Sequence, residues 1–292
     1  MPYKVKPALL LAEAKQKAIT LKALHITACV EMKVAYATML YRDLAPLDAL
    51  RRLHDMGVDE YEVSYDNFLS RRGQEDSMLE EVVAGVKRAG YRVLSVHLPY
   101  DRQTLEQLAQ AKEGAVTRMI RWMRAAADMG AKIAVMHTIP VRPREKAADV
   151  NRQVIGRLVN EARSLGLTLA VENRLEGDLF GSSLDELLEL VKGIDGLYLC
   201  LDVGHLNVNS KSLPDEVQKA VNVVAEVHAH DNDGFSDLHL PPMTGTIDWF
   251  RLAGALLHYQ GQLTYEVSCS GQQARCDNYV RLIKIVHKNV FG

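Results

Sequence analysis

Residues 161–173 read EARSLGLTLAVEN. A helical pattern stops at Gly166, and an apolar run, LTLAV, follows at once and closes on Glu172. Glycine supplies the left-handed residue that ends a helix. The run after it is too short and too rich in strand formers to be a second helix. The same punctuation recurs as HDMG-VDEYEV (54–63), KRAG-YRVLSV (87–96), ADMG-AKIAVM (127–136), GIDG-LYLCLD (193–202) and HYQG-QLTYEV (258–267). Strand-like runs fall near 24–30, 59–64, 91–97, 131–137, 167–172, 197–202, 223–229 and 262–267. Helical stretches follow them near 46–56, 75–89, 113–129, 145–165, 183–192, 213–221, 247–259 and 272–289. Eight alternations predict a single-domain (β/α)8 barrel, a TIM barrel, whose strands are buried on both faces. A doubly wound open sheet is the alternative, and no GxGxxG follows the first strand to support it. Residues 1–40 hold several competing apolar stretches, and 1–22 read as an N-terminal extension.

The ends of the runs carry the chemistry. Six of the ten histidines lie in this pattern, together with several acids. His97, His137, Glu172, Asp202, His228 and Glu266 close the third to eighth strands in turn. Active sites of this fold sit at the C-terminal ends of the strands, so these side chains are expected in one bowl. Mixed imidazole and carboxylate ligands suit Zn, Mn or Co better than Ca. Buried carboxylates need a cation or strong donors, and Arg174 is the only basic residue in the immediate runs. His205 follows Asp202 after Gly204, read as a bend that turns His205 over the bowl. His228 and His230 share one side of a strand, so one can ligate a metal while the other contacts substrate or a supporting carboxylate, and His230 is a candidate for each role. Asp231 reads as a cap for the turn at 232–234. Asp237 and His239 lie in a long loop that can clamp a cation. Trp122 and Trp249 read as packing residues, Arg142 and Arg144 as a solvated rim, and His54, His258 and His287 as surface or interface groups on helices.

Composition narrows the class. The 292 residues are 48% hydrophobic and 25% charged, enough for a large core. A net charge of −2 gives no bulk attraction to nucleic acid or anionic membrane. No secretory signal or membrane span is read in the sequence. The four cysteines form no CxxC pair, which reads as a reducing, cytoplasmic setting without disulfide staples.

The stretches VEN (171–173), LDVGH (201–205), HAHDNDGFSDLHLPP (228–242), GTIDW (245–249) and YEVS (265–268) resemble the xylose-isomerase-like barrel superfamily, from about the second strand onward. That superfamily holds sugar isomerases, sugar epimerases and endonuclease IV. The resemblance to the epimerases implies one divalent ion (Mn, Zn, Co or Mg) on Glu172, Asp202, His228 and Glu266. It also implies proton transfer by Glu172 and Glu266 through a metal-stabilised enediolate, with His205 and Arg174 contacting a carbohydrate substrate. The resemblance to endonuclease IV adds His97, His137, His205, Asp237 and His239, and so up to three ions. The sequence departs from the nuclease: HLPYDRQTLEQLAQ (97–110) is polar and helical, and Val203-Gly204 replace a threonine-cysteine pair. The expectation is therefore a metal-dependent sugar or sugar-phosphate isomerase or epimerase, able to form a homo-oligomer. A multi-zinc phosphodiesterase on abasic DNA and a non-catalytic metal- or sugar-binding barrel are the alternatives.

Overall fold

The computed structural model describes residues 32–70, 72–175, 177–210 and 212–292. Eight strands run parallel: β1 (Lys33–Ala37), β2 (Glu60–Val63), β3 (Arg92–His97), β4 (Ile133–His137), β5 (Thr168–Glu172), β6 (Leu197–Asp202), β7 (Val224–His228) and β8 (Gln262–Tyr265). Each pairs with its neighbours in sequence, and β1 pairs with β8 to close the barrel. Seven of the strands lie where the sequence places them. The first does not: 24–30 is outside the described residues, as is the 1–22 extension, and Lys33–Ala37 closes the barrel instead.

Helices fill the outer ring, among them Pro46–Asp55, Glu75–Ala89, Glu113–Met129, Ala147–Ser164, Leu184–Gly193 and Gln273–Val290. Gly90 and Gly130 end two of them with φ of 71° and 90°, values that cost glycine nothing. The ring packs Leu50, Leu53, Val86, Met119, Trp122, Ile155, Leu158, Leu187, Val280 and Ile283 onto the outer face of the barrel, all buried. The polar segment after β3 is a helix, Arg102–Ala109, as its composition predicts. Asp101 caps it by accepting from the Thr104 amide.

Strand periodicity orders the interior. Residues two apart share a face, so the row beneath the strand ends comes from Ser95, Val135, Ala170, Cys200, Glu226 and Thr264. Half of this row is apolar: Val135, Ala170 and Cys200 form a buried cluster separate from the main core. The other half is polar. Ser95, Glu226 and Thr264 are buried there and are bonded into one network with the buried Glu62 and Gln262.

One expectation about the cysteines is overturned. Cys269 and Cys276 form a disulfide, with Cα atoms 5.5 Å apart. Cys269 sits on the short connection after β8 and Cys276 in the first turn of the helix Gln273–Val290, and the chain's turn between them brings them together. Spacing seven residues apart does not announce that turn. Cys200 is free and buried. No helix among the described residues is long and apolar enough to cross a membrane.

Candidate metal centre and active site

The last residues of β3 to β7 are His97, His137, Glu172, Asp202 and His228, and Glu266 follows β8 directly. Register sets them side by side, with His137 paired to Glu172 and Asp202 to His228. Three groups result. At the centre, Glu172, Asp202, His228 and Glu266 each offer a ligand atom within 4.8 Å of the others, and all four are buried. His228 Nδ1 lies 3.2 Å from Glu172 Oε1 and 3.4 Å from Glu266 Oε2. On one side, His97 Nε2 and His137 Nε2 stand 2.9 and 3.4 Å from Glu172 Oε2. On the other, Asp237 Oδ2 is 3.3 Å from His205 Nε2 and 3.0 Å from His239 Nε2. All nine residues that the sequence nominates as ligands are thus together.

The histidines are aimed. His97 Nδ1 meets the Leu98 carbonyl at 3.0 Å, His205 Nδ1 the Asn173 carbonyl at 2.8 Å, and His239 Nδ1 the Glu266 carbonyl at 2.8 Å. A carbonyl accepts only, so each Nδ1 carries a proton and each Nε2 faces a carboxylate. A bare lone pair against a carboxylate oxygen is repulsive. Either a second proton or a metal ion must lie between them.

Protonation follows that logic. Burial pushes the His97 imidazole down, but its hydrogen bond to Glu172 carries it up to about 9. His239 is likewise lowered by burial and raised by Asp237, to about 9. His205 and His228 are held well above the usual range against their burial, His205 chiefly by Asp202 and His228 by surrounding anionic groups that include Glu266 and Glu62. His137 is driven well down by burial. Burial pushes Glu172 up, yet His137, His228 and His97 pull it well below the carboxylate range. Glu266 is raised, because there burial wins.

Around the ligands is a supporting frame. Asp202 begins the helix Val203–Asn209 and accepts from the His205 amide at 2.7 Å. Asn173 links the ends of two strands, donating to the Asp202 carbonyl at 3.0 Å and accepting from its amide at 2.8 Å. His230 is placed behind the ligands. It is fully buried, its Nε2 is 3.1 Å from both Asp202 oxygens, and it stacks on His239 at 4.0 Å. That position fits a support for Asp202, one of the roles that the sequence leaves open beside ligand and substrate contact. Gly204 also has a different reason from the expected bend. Its φ is not left-handed, but a Cβ there would lie 1.9 Å from the His230 ring. Asp231 pins the GTIDW segment, accepting from Ile247 N at 3.2 Å and Trp249 Nε1 at 2.8 Å, while Asp233 caps the turn. Trp249 is buried packing, as expected. His239 has φ of 45°, in the left-handed region that few non-glycine residues adopt, and Ser268 N donates to its carbonyl at 3.0 Å.

A cavity of about 750 Å³ opens on the site. Tyr100, Leu105, Ala109, Val141, Arg174, His137, His205 and Asp237 are among its walls. The central four ligands do not line it; they are buried and reached through His137, 3.4 Å from Glu172, and His205, 3.9 Å from Glu172. Arg174 is itself buried and donates to the Thr138 carbonyl. Three residues near the site escaped the sequence reading. Tyr100 sits edge-on to His97 and near His137. Glu62 and Glu226 lie in the row beneath, within reach of His228 Nε2 at 3.3 and 3.8 Å. Glu226, two residues before His228, shares its side of the strand by the period of two, whereas Glu62, mid-run in EYEV, has no terminal ligand to mark its face.

The family model for the xylose isomerase-like TIM barrel matches residues 50–285. The chain belongs to the xylose isomerase-like TIM barrel family. An uncharacterised protein of Methanocaldococcus jannaschii is 23% identical to the chain over 258 residues, covering 81% of this chain and 84% of that one. Among solved structures, a D-tagatose 3-epimerase-like protein superposes with a TM-score of 0.72 at 20% identity, over 89% of this chain and 100% of the other. A putative xylose isomerase of Rhodospirillum rubrum gives 0.70 at 17%, over 87% and 99%. An IolI protein crystallised with a zinc atom gives 0.68 at 16%, over 89% and 98%. At these identities the solved structures share the fold of this xylose isomerase-like barrel, whose site must be argued from its own residues.

Proposed function

We propose that this protein is a divalent-metal-dependent isomerase or epimerase of a sugar or sugar phosphate. The observation that carries the reading is His228 Nδ1 set between Glu172 and Glu266 at 3.2 and 3.4 Å, with Asp202 completing a buried oxygen and nitrogen cage. Three negative groups facing an imidazole nitrogen out of water call for a cation, so the donor set fits a Zn, Mn or Co ion. When bound, such an ion supplies Lewis-acid stabilisation of negative charge on substrate oxygens. The protein's own groups supply the proton traffic. Glu172 and Glu266, on either side of His228, are the pair of carboxylates that takes a carbon-bound proton and returns one. His205 and Arg174, on the cavity wall, orient the substrate. The cavity volume suits a small polar molecule. Incubating the zinc-, manganese- or cobalt-loaded protein with ketopentoses and ketohexoses, free and phosphorylated, in deuterated water tests this. Deuterium entering carbon is expected; no label in any sugar counts against proton-transfer isomerisation.

A second reading rests on the two flanking groups. His97, His137 and Glu172 form one, and His205, His230, Asp237 and His239 the other. With the central four they offer room for up to three ions, an arrangement suited to phosphodiester hydrolysis. The helix Arg102–Ala109 on the cavity wall and the net charge of −2 favour a small substrate over DNA. Cleavage of an abasic oligonucleotide by the zinc-loaded protein would decide for the nuclease. A barrel that binds metal and sugar without turnover is distinguished by retention of both with no label exchange.

A further inference from the structure

Three of the site's histidines have one ring nitrogen fixed by a backbone carbonyl: His97, His205 and His239. His228 has no such carbonyl. Its Nε2 points down into the barrel and meets Glu62 Oε2 at 3.3 Å. Glu62 comes from β2, the one strand besides β1 that places no ligand in the site, and it is fully buried. Its Oε2 also accepts from Ser95 at 3.1 Å, and its Oε1 has no partner among the described residues. A buried carboxylate with so few donors is costly to keep. A glutamine would fill the same space and accept the same hydrogen bond without that cost.

The charge itself is what Glu62 adds, and the group it acts on is His228. We propose that Glu62 is a positioning residue for His228: it accepts a hydrogen bond from Nε2–H, fixes the tautomer, and turns an electron-rich Nδ1 toward Glu172 and Glu266. A carboxylate behind a ligating imidazole raises its basicity more than a carbonyl does. Glu226 is the built-in contrast. Its Oε1 is 3.8 Å from His228 Nε2, beyond hydrogen-bond distance, and is already engaged by Gln262 at 2.7 Å and Ser95 at 2.9 Å. The inference rests on the metal-dependent reading above.

Cobalt affinity, measured by chelator competition and by the visible absorption of bound Co(II), tests it on wild type, Glu62→Gln and Glu226→Gln. Glu62→Gln is expected to weaken the tightest site about 10–100-fold while the metal-free protein keeps its fold, checked by circular dichroism. Glu226→Gln is expected to stay within a few-fold of wild type. Glu62→Gln binding as tightly as wild type, or Glu226→Gln binding as weakly as Glu62→Gln, overturns the proposal. Nitrogen-15 histidine spectra of the zinc-loaded wild type give a check that needs no variant. The His228 proton is expected on Nε2 and the metal on Nδ1, and the reverse assignment overturns the proposal. A wild type that takes up neither cobalt nor zinc removes the metal reading itself, whereas normal uptake with an indifferent Glu62→Gln removes only this inference.

Discussion

Replacing Gly204 by alanine should destabilise the protein, and removing a single ring should reverse the sign. A Cβ on Gly204 would lie 1.9 Å from His230 Cε1, 2.4 Å from Nε2 and 2.5 Å from Nδ1. The ring has little freedom to retreat. It is fully buried, 3.1 Å from both Asp202 oxygens, and stacked on His239 at 4.0 Å. Overpacking of this kind costs about 1–3 kcal/mol. Gly204 also lies in the helix Val203–Asn209, where alanine is favoured over glycine by up to ~1 kcal/mol. In wild type the clash dominates, and Gly204→Ala should lose about 1–3 kcal/mol net of a fraction recovered from the helix. With His230→Ala in place the clash is gone, and the same substitution should be neutral or stabilising by up to ~1 kcal/mol. Urea melts of the four metal-free proteins give this coupling as a double-mutant cycle. Equal destabilisation in both backgrounds would refute the claim that glycine is kept there for the His230 ring.

The remaining predictions concern the ligands. Glu266→Gln should lower kcat/KM by about 10²–10⁴-fold in the deuterium-exchange assay, and wild-type exchange rates in that variant would remove Glu266 from the chemistry. The metal-free protein should lose stability as pH rises between about 6.5 and 9. His97 and His239 sit near 9 when folded against an unfolded value near 6.5, so their contribution is full below about pH 6.5 and gone above 9. Metal binding should run the other way and tighten over the same window, because those imidazoles must shed protons to ligate. Melting temperatures with and without chelator across that range measure both trends, and parallel curves would contradict them. At pH 8 a hundredfold excess of zinc over its Kd should add about 2.7 kcal/mol, seen as a raised Tm that a chelator reverses.

How much of this was readable without coordinates depended on where each residue lay in its run. A ligand that ends an apolar run stands out, because it is where hydrophobic patterning stops; His97, His137, Glu172, Asp202 and His228 were all found that way. Glu62 and Glu226 sit inside their runs, where an acid looks like a strand's exposed face, and only barrel closure shows that face to be the interior. For His230, period two gives its side of the strand but not its depth, so support, ligand and substrate contact stay open in the sequence. Gly204 looked like a bend because the close approach of His230 comes from another strand's continuation. The closing strand was misplaced because the competing apolar stretches near the N-terminus have no glycine before them to choose among them. The Cys269–Cys276 bridge depends on the path of a short connection, which residue spacing leaves open.

Anomalous diffraction from a crystal of the zinc-loaded protein reports directly on the shared cation. The expected map has a peak about 2.0–2.2 Å from His228 Nδ1 and from carboxylate oxygens of Glu172, Asp202 and Glu266. A map with zinc bound only elsewhere, or with His228 turned so that Nδ1 faces away from both glutamates, would contradict the account.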